Sequence, residues 1–219
     1  MAEAARANGV KLMEAFMYRF HPRTEKAIEL VQGSALGPIK LVRSAFTFKL
    51  TSPDNIRLSS ELGGGSLMDV GCYCVNSART LLGREPLEVQ AFARWGESGV
   101  DEEMVATMKF PGDVFAQFSC ALTLPRQEYC EVVGESGRFN LSSAYLPGTD
   151  DTTLKVMPSD DKPLTFEGVD EYQLMVEHFA NCVLSDESPR YDAREAAANM
   201  RVLEALYRSA RGGGRLETL

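Results

Sequence analysis

Val114-Phe115-Ala116-Gln117-Phe118-Ser119-Cys120-Ala121-Leu122 decides the fold, because Val114, Ala116, Phe118, Cys120 and Leu122 recur at every second position. A period of two is the signature of a strand with one face against a core. Pro111-Gly112-Asp113 is a turn just upstream, and Met104 to Phe110 and Leu87 to Arg94 repeat the alternation. Between Ile39 and Leu50 one side collects Val42, Phe46, Phe48 and Leu50, while Arg43, Thr47 and Lys49 fall on the other. Tyr129 to Val133, Arg138 to Leu141 and Leu154 to Met157 add shorter strands, the first two parted by Glu135-Ser136-Gly137. Half-wet strands joined by tight turns favour an antiparallel sheet.

Helical spacing appears before and after these strands. Thr24 to Gln32 carries Ala27, Ile28 and Val31; Ser66 to Leu82, Glu171 to Leu184 and Ala193 to Ala210 follow, the last with Ala196, Met200, Leu203, Tyr207 and Ala210 on one stripe. The fold class predicted is α+β, an open, mostly antiparallel sheet with helices on one face and the other face free for a partner. At the start, Ala2 to Asn8 is a strong helix former, Gly9 stands where a left-handed cap belongs, and Val10 to Phe16 reads as a buried strand. That pattern is the tail of an αβ unit, a short helix-and-strand remnant of a Rossmann domain. Residues 1–20 are therefore assigned to that remnant, and residues 21–219 to a substrate-binding and dimerisation domain.

Charge and composition narrow the function. With 31 acidic against 23 basic residues the net charge is −8, and the basic residues are scattered, which argues against nucleic acid. Five cysteines (Cys72, Cys74, Cys120, Cys130, Cys182) without a CxxC pair, and two histidines, make a metal site improbable. Cys72 and Cys74, two apart on a helix, point different ways and read as small buried apolar groups. No stretch approaches the roughly 20 apolar residues that span a bilayer, and no leader precedes the first helix. A soluble, cytoplasmic protein without a membrane partner is the expectation.

The segment that carries chemistry is Gly63-Gly64-Gly65-Ser66-Leu67-Met68-Asp69-Val70-Gly71-Cys72-Tyr73. Asp69 and Tyr73 are four apart, so a helix stacks a carboxylate and a phenol on one face. The preceding glycines would let backbone approach a ligand, the helix N-terminus adds a weakly positive field, and Gly71 permits close packing. On spacing alone, a glycine-rich turn ahead of a core helix, with Tyr73 satisfied locally, is the simpler reading. The run is not a dinucleotide fingerprint: Met68 stands where a third glycine or alanine belongs, and no strand immediately precedes it.

The same run resembles the signature of the glucose–fructose oxidoreductase and inositol dehydrogenase family, nearest its dihydrodiol and D-xylose dehydrogenase branch. Glu14-Ala15-Phe16-Met17-Tyr18-Arg19-Phe20-His21-Pro22 resembles that family's crossing segment between domains. Tyr172 to Phe179 and Asn199 to Leu203 are similar to its C-terminal helices, so the resemblance extends over nearly the whole chain. It implies an NAD- or NADP-dependent oxidoreductase, NADP favoured, acting on a sugar, cyclic polyol or dihydrodiol, and a homodimer formed through the open sheet face. It further implies Tyr73 as the proton-transfer residue and Asp69 as a carboxylate lining the substrate pocket. Tyr18, Arg19, His21 and Arg57 would contact substrate, Arg19 also facing the nicotinamide.

The family's glycine-rich nucleotide loop, and the lysine that assists its tyrosine, would lie before Met1. The expectation is thus the substrate-binding half of such an enzyme, inactive alone, with a non-catalytic dimerisation or sugar-binding module as the alternative. An unperturbed tyrosine titrates near pH 10. As a base at neutral pH it needs a neighbouring cation, and Arg19 or Arg57 is expected to supply one. His21, before Pro22, admits either a ligand contact or an ordinary place at a helix start; His178 reads as hydrogen-bonded. Trp95 and the strand phenylalanines read as interface, Asp101-Glu102-Glu103 and Asp150-Asp151 as solvated turns.

Overall fold

The computed structural model describes all 219 residues. Its first helix, α1 (Ala2–Ala7), ends near Gly9 at φ 63°, as its sequence predicts. The strand expected at Val10 to Phe16 does not form. Val10 is 59% exposed, and a single extended segment with no neighbour to complete its hydrogen bonds has nothing to make it a strand. The chain then enters a short 3-10 turn (Met17–Phe20), all four residues of which are buried. His21 caps α2 (Pro22–Gln32) by accepting from Arg23 N through Nδ1, with Pro22 supplying the preset first helical φ.

Alternating residues build the main sheet. Its strands are β1 (Ile39–Lys49), β2 (Glu88–Trp95), β3 (Asp101–Phe110), β4 (Val114–Ala121), β5 (Thr123–Gly134), β6 (Arg138–Ser142) and β9 (Glu217–Thr218), in spatial order 6-5-1-4-3-2-9. Only β1 and β4 pair in parallel; every other neighbour is antiparallel. β7 (Thr152–Leu154) and β8 (Leu164–Phe166) form a separate ribbon.

Three helices complete the fold: α3 (Cys72–Leu82), α4 (Glu171–Leu184, capped by Asp170) and α5 (Ala193–Arg211, capped by Asp192). α3 and α5 lie on one sheet face, where Val42, Phe46, Val89, Met104, Ala116 and Phe118 are buried. Fully burying an aliphatic or aromatic side chain of this kind contributes roughly 1.5–3 kcal/mol, so this face carries the fold. The opposite face stays open: Phe92, Val105 and Phe115 are 54%, 53% and 42% exposed. Trp95 is not among them. It packs against Tyr207 of α5 with ring centroids 6.3 Å apart, on the helix side, where the alternation of Val89, Ala91 and Ala93 along β2 places it. No helix is long and apolar enough to cross a membrane, and the five cysteines are all free and buried.

Candidate active site

α3 does not begin as a regular α-helix. Leu67–Gly71 forms one π-helical turn that runs into Cys72, a widening often found where a helix serves a site. The turn is accommodated because Gly71 lies against β4: a Cβ there would stand 2.7 Å from Cys120 Sγ and 2.9 Å from Leu67 Cδ1. Close packing at Gly71 is as the sequence predicts.

The glycines before the helix act differently from the expectation. Gly65 has φ 120°, and a Cβ on it would fall 2.1 Å from Asp101 Oδ1. It is this chain's own carboxylate, not a ligand, that approaches the bare backbone. Asp101 Oδ2 accepts from Leu67 N and from Ser66 Oγ, both at 2.7 Å, and Oδ1 accepts from Tyr207 Oη at 2.8 Å. The helix N-terminus is therefore already occupied by an anion. Asp101, read as part of a solvated turn, is 1% exposed at the start of β3. Burial pushes its carboxyl upward, opposed by the hydrogen bonds from Ser66, Leu67 and Tyr207. A run of three acids gives no sign that one of them reaches inward to three donors. Asp150 and Asp151 are exposed, as expected.

From Gly65 to Arg79 only Met68, Asp69 and Tyr73 keep partial exposure, so the residues spaced four apart lie on the less buried side of this stretch. Asp69 Oδ2 accepts from Arg57 Nε at 2.7 Å. The Tyr73 ring stands edge-on to Phe16 and Phe46, at centroid distances of 4.9 and 5.5 Å, and its hydroxyl donates weakly to Met17 Sδ at 3.8 Å. Burial raises the phenol's pKa above its ordinary value, and the neighbouring Cys72, Tyr172, Asp69 and Glu14 push the same way. Neither arginine relieves it: Arg57 is paired with Asp69, and Arg19 Nη1 donates to Glu195 Oε2 at 2.7 Å while its guanidinium lies 3.7 Å over the Tyr191 ring. The expectation that one of them would stabilise phenolate is corrected accordingly.

The remaining expected residues, Tyr18, Arg19 and His21, are buried. Tyr18 is buried and donates to Asn76 Oδ1 at 2.7 Å, one turn beyond Tyr73 on α3. Asn76 Nδ2 donates to Glu195 Oε1, which also accepts from Arg79. His21 is fully buried as a helix cap; burial and Arg23 lower its pKa to about 4, so it is neutral. His178 Nε2 accepts from Arg190 N at 3.0 Å. The structure thus pairs Asp69 with Arg57, leaves both and Tyr73 partly exposed, and buries Tyr18, Arg19 and His21.

Glu14 lies in the crossing segment. Its Oε2 is buried without a hydrogen-bond partner, and burial, followed by the charge of Glu195, raises its pKa to about 7. A lone acid inside the apolar run Leu12-Met13-Glu14-Ala15-Phe16 was the available signal. No group of three or more histidine, cysteine, aspartate or glutamate side chains converges as a metal site. A shallow concavity between Arg43, Gln90, Phe92, Val105, Gln117 and Tyr129 lies on the open sheet face.

Known proteins share this chain's sequence pattern and fold. The GFO/IDH/MocA C-terminal domain matches residues 24–140. The chain is 37% identical over 212 residues to D-xylose 1-dehydrogenase (NADP(+)) 2 of Haloferax volcanii, covering 95% of this chain and 65% of that protein. It is 31% identical over 207 residues to trans-1,2-dihydrobenzene-1,2-diol dehydrogenase of Danio rerio, covering 90% of this chain and 61% of that protein. The solved aldose-aldose oxidoreductase from Caulobacter crescentus, complexed with glycerol, superposes with a TM-score of 0.89 at 29% identity, over 99% of this chain and 66% of that one. The chain thus spans somewhat less than two thirds of the length of these curated relatives.

Proposed function

Because the chain belongs to the GFO/IDH/MocA family, we propose that it is the substrate-binding half of an NAD(P)-dependent oxidoreductase acting on a sugar, cyclic polyol or dihydrodiol, with Tyr73 as its proton-transfer residue. The observation that carries this reading is the partial exposure shared by Asp69 and Tyr73 on a stretch that, Met68 apart, is buried from Gly65 to Arg79. Relatives named as D-xylose, dihydrobenzene-diol and aldose oxidoreductases support the substrate class.

This chain's own residues do not fit a nucleotide's phosphates: the turn before the helix is filled by Asp101, and Arg19 and Tyr18 are buried and paired. The nucleotide, NADP favoured over NAD, is proposed to be held by a separate nucleotide-binding half, with residues 1–20 as that half's tail and residues 21–219 as the substrate domain.

The chemistry left to this chain is proton handling and orientation. A phenol whose pKa is raised by burial is fully protonated at neutral pH, so Tyr73 is set to donate a proton to a substrate carbonyl oxygen. In the opposite direction it must accept a proton from a substrate hydroxyl, which requires a cation from outside the groups described here. Asp69, held by Arg57, has a further carboxylate oxygen with which to orient substrate hydroxyls. In the full-length protein, Tyr73→Phe lowers turnover by about 10²–10⁴-fold, the usual worth of a general acid or base, with little change in folding. Turnover like that of wild type removes Tyr73 from the mechanism.

The exposed row Phe92, Val105 and Phe115 favours pairing of two copies through the open sheet face. Val105→Glu should convert a dimer to monomers in analytical ultracentrifugation. A wild-type chain that sediments as a monomer overturns the dimer.

A further inference from the structure

We propose that Met17 is a positioning residue for Tyr73: its thioether sulfur is the resting acceptor of the phenol's proton, fixing which way the hydroxyl points and releasing it when a substrate oxygen arrives. The hydrogen bond that the hydroxyl makes within the chain runs to Met17 Sδ at 3.8 Å. Three other phenols are held by oxygen at much shorter range. Tyr18 donates to Asn76 Oδ1 at 2.7 Å, Tyr207 donates to Asp101 Oδ1 at 2.8 Å, and Tyr145 shares a hydrogen bond with Ser77 Oγ at 3.1 Å. A thioether is only a weak acceptor. The phenol whose proton is loosely held is thus the partly exposed one beside Asp69, while Tyr18 and Tyr145 are buried.

The crossing segment places Met17 for this task. Met17 opens the 3-10 turn, is 1% exposed, and packs in a small cluster with Phe20 and Met175 against which Tyr73 rests. Its neighbour Phe16 meets the Tyr73 ring edge-on, with centroids 4.9 Å apart. Adjacent residues therefore hold the phenol at both ends, the ring through Phe16 and the hydroxyl through Met17. Phe46 of β1 closes a further side of the ring at 5.5 Å, so the freedom left to the hydroxyl is rotation about its own C–O bond. Sulfur accepts and cannot donate, so the bond exists only while the phenol carries its proton. With that proton turned to Met17, the oxygen's lone pairs face away from the sulfur and can receive a hydrogen bond from a substrate hydroxyl. A substrate carbonyl draws the proton over instead, and rotation about the C–O bond delivers it for the loss of a weak bond alone. An oxygen acceptor like those of Tyr18 and Tyr207 would compete with the substrate for the same proton.

This inference rests on Tyr73 being the proton-transfer residue only for its consequence in catalysis; the orientation of the hydroxyl is readable without substrate or nucleotide. The experiment is solution NMR of the 219-residue chain labelled with 13C at methionine Cε and tyrosine Cζ, signals being assigned by their loss in Met17→Leu and Tyr73→Phe. Tyr73→Phe keeps the ring and removes the hydroxyl, so the Met17 methyl should shift while Met104 and Met108 of β3 stay in place. Met17→Leu nearly conserves volume and removes the acceptor, so Tyr73 Cζ should shift while Tyr207 Cζ, held by Asp101, does not. Should Met17→Leu not fold, Tyr73→Phe reads the same contact from its other side. In equal parts of H2O and D2O a slowly exchanging hydroxyl gives two Cζ lines, one for each isotope, and a loosely held one gives a single averaged line. Tyr73 should give one. A Met17 methyl that does not move, a Tyr73 Cζ that does not move in folded Met17→Leu, or two lines for Tyr73 overturns the proposal. If the signals behave as stated and full-length Tyr73→Phe nevertheless turns over like wild type, the proposed role of Tyr73 fails while the orientation of its hydroxyl by Met17 stands.

Discussion

At its Ser66 end the helical segment leading into α3 is locked from all sides, since the Asp101 carboxylate takes hydrogen bonds from Ser66, Leu67 and Tyr207 and leaves none of those groups unpaired. Along the Cys72–Arg79 flank the crossing segment presents a different surface. Of the seven buried side-chain atoms without a hydrogen-bond partner, five belong to Glu14, Arg19, His21, Arg23 and Thr24. Buried polar groups are ordinarily satisfied, so such a concentration sets this flank apart from the Ser66 end. One flank fixes the geometry of the helix; the other holds groups whose charge and bonding can still change. A site needs both, a rigid frame and a few responsive side chains held by it.

The most damaging change predicted is Gly65→Ala on the locked flank. The new methyl requires both a φ near 120° that side chains avoid and displacement of Asp101 Oδ1, which lies 2.1 Å from the Cβ position. Asp101 cannot simply turn aside, because moving it leaves three donors without an acceptor in a buried place. We expect a loss on the order of 4 kcal/mol by urea denaturation. A loss under 1 kcal/mol would show that the flank adapts and that the contrast drawn here is mistaken.

That clamp also marks the limit of what the chain discloses before it is folded. Period-two runs located six of the strands, and helical stripes located α2 to α5 within a few residues, because burial on one face dictates both patterns. Val10 to Phe16 went astray for the complementary reason: its residues have the composition of a strand, but pairing is a property of the neighbour and not of the segment. Asp69 and Tyr73 were legible because four residues on a helix is a local rule. Asp101 was not, since its three donors come from positions 66, 67 and 207, and nothing local to a run of acids announces so distant a set. The partnering of Arg19 and Arg57 was missed in the same way; a cation's position along the chain does not say which carboxylate claims it.

On the responsive flank the predicted effect is smaller and appears as a dependence on pH. Glu14 holds its proton more tightly in the folded chain, to about 7 against an ordinary 4.5, so its contribution to stability is complete below about 4.5 and lost as pH rises through 7. His21 has the opposite sign. Its pKa is lowered from 6.5 to about 4, so its contribution is present above 6.5 and disappears as pH falls through 4. Glu14→Gln should therefore remove a decline in stability between pH 5 and 8 while leaving the acid-side decline in place. The carboxyl is partly in contact with water, so the removed decline is about 1 kcal/mol. Parallel pH profiles for the two proteins, from urea denaturation at each pH, would assign the alkaline decline to another group.

Arg57→Ala carries the smallest expected change in stability and gives the finest test of the contrast. The Arg57 and Asp69 side chains are 40% and 21% exposed, and ion pairs in that setting contribute about 0.2–1 kcal/mol once solvent screening and side-chain ordering are counted. The Arg57 guanidinium also lies 5.8 Å from the Phe48 ring, a distance that adds no more than a few tenths of a kcal/mol at an exposed position. Loss of Arg57 should thus move the urea midpoint barely at all. It should still free Asp69 to rotate, and a carboxylate that must orient substrate hydroxyls suffers from rotation even when the fold does not. The expected signature in the full-length protein is a turnover loss of about tenfold, or roughly 1.4 kcal/mol in the transition state, with stability changed by less than 1 kcal/mol. A loss of stability above 2 kcal/mol would move the Arg57–Asp69 pair to the locked frame, and Asp69 would then be a strut of the helix instead of a group that meets substrate.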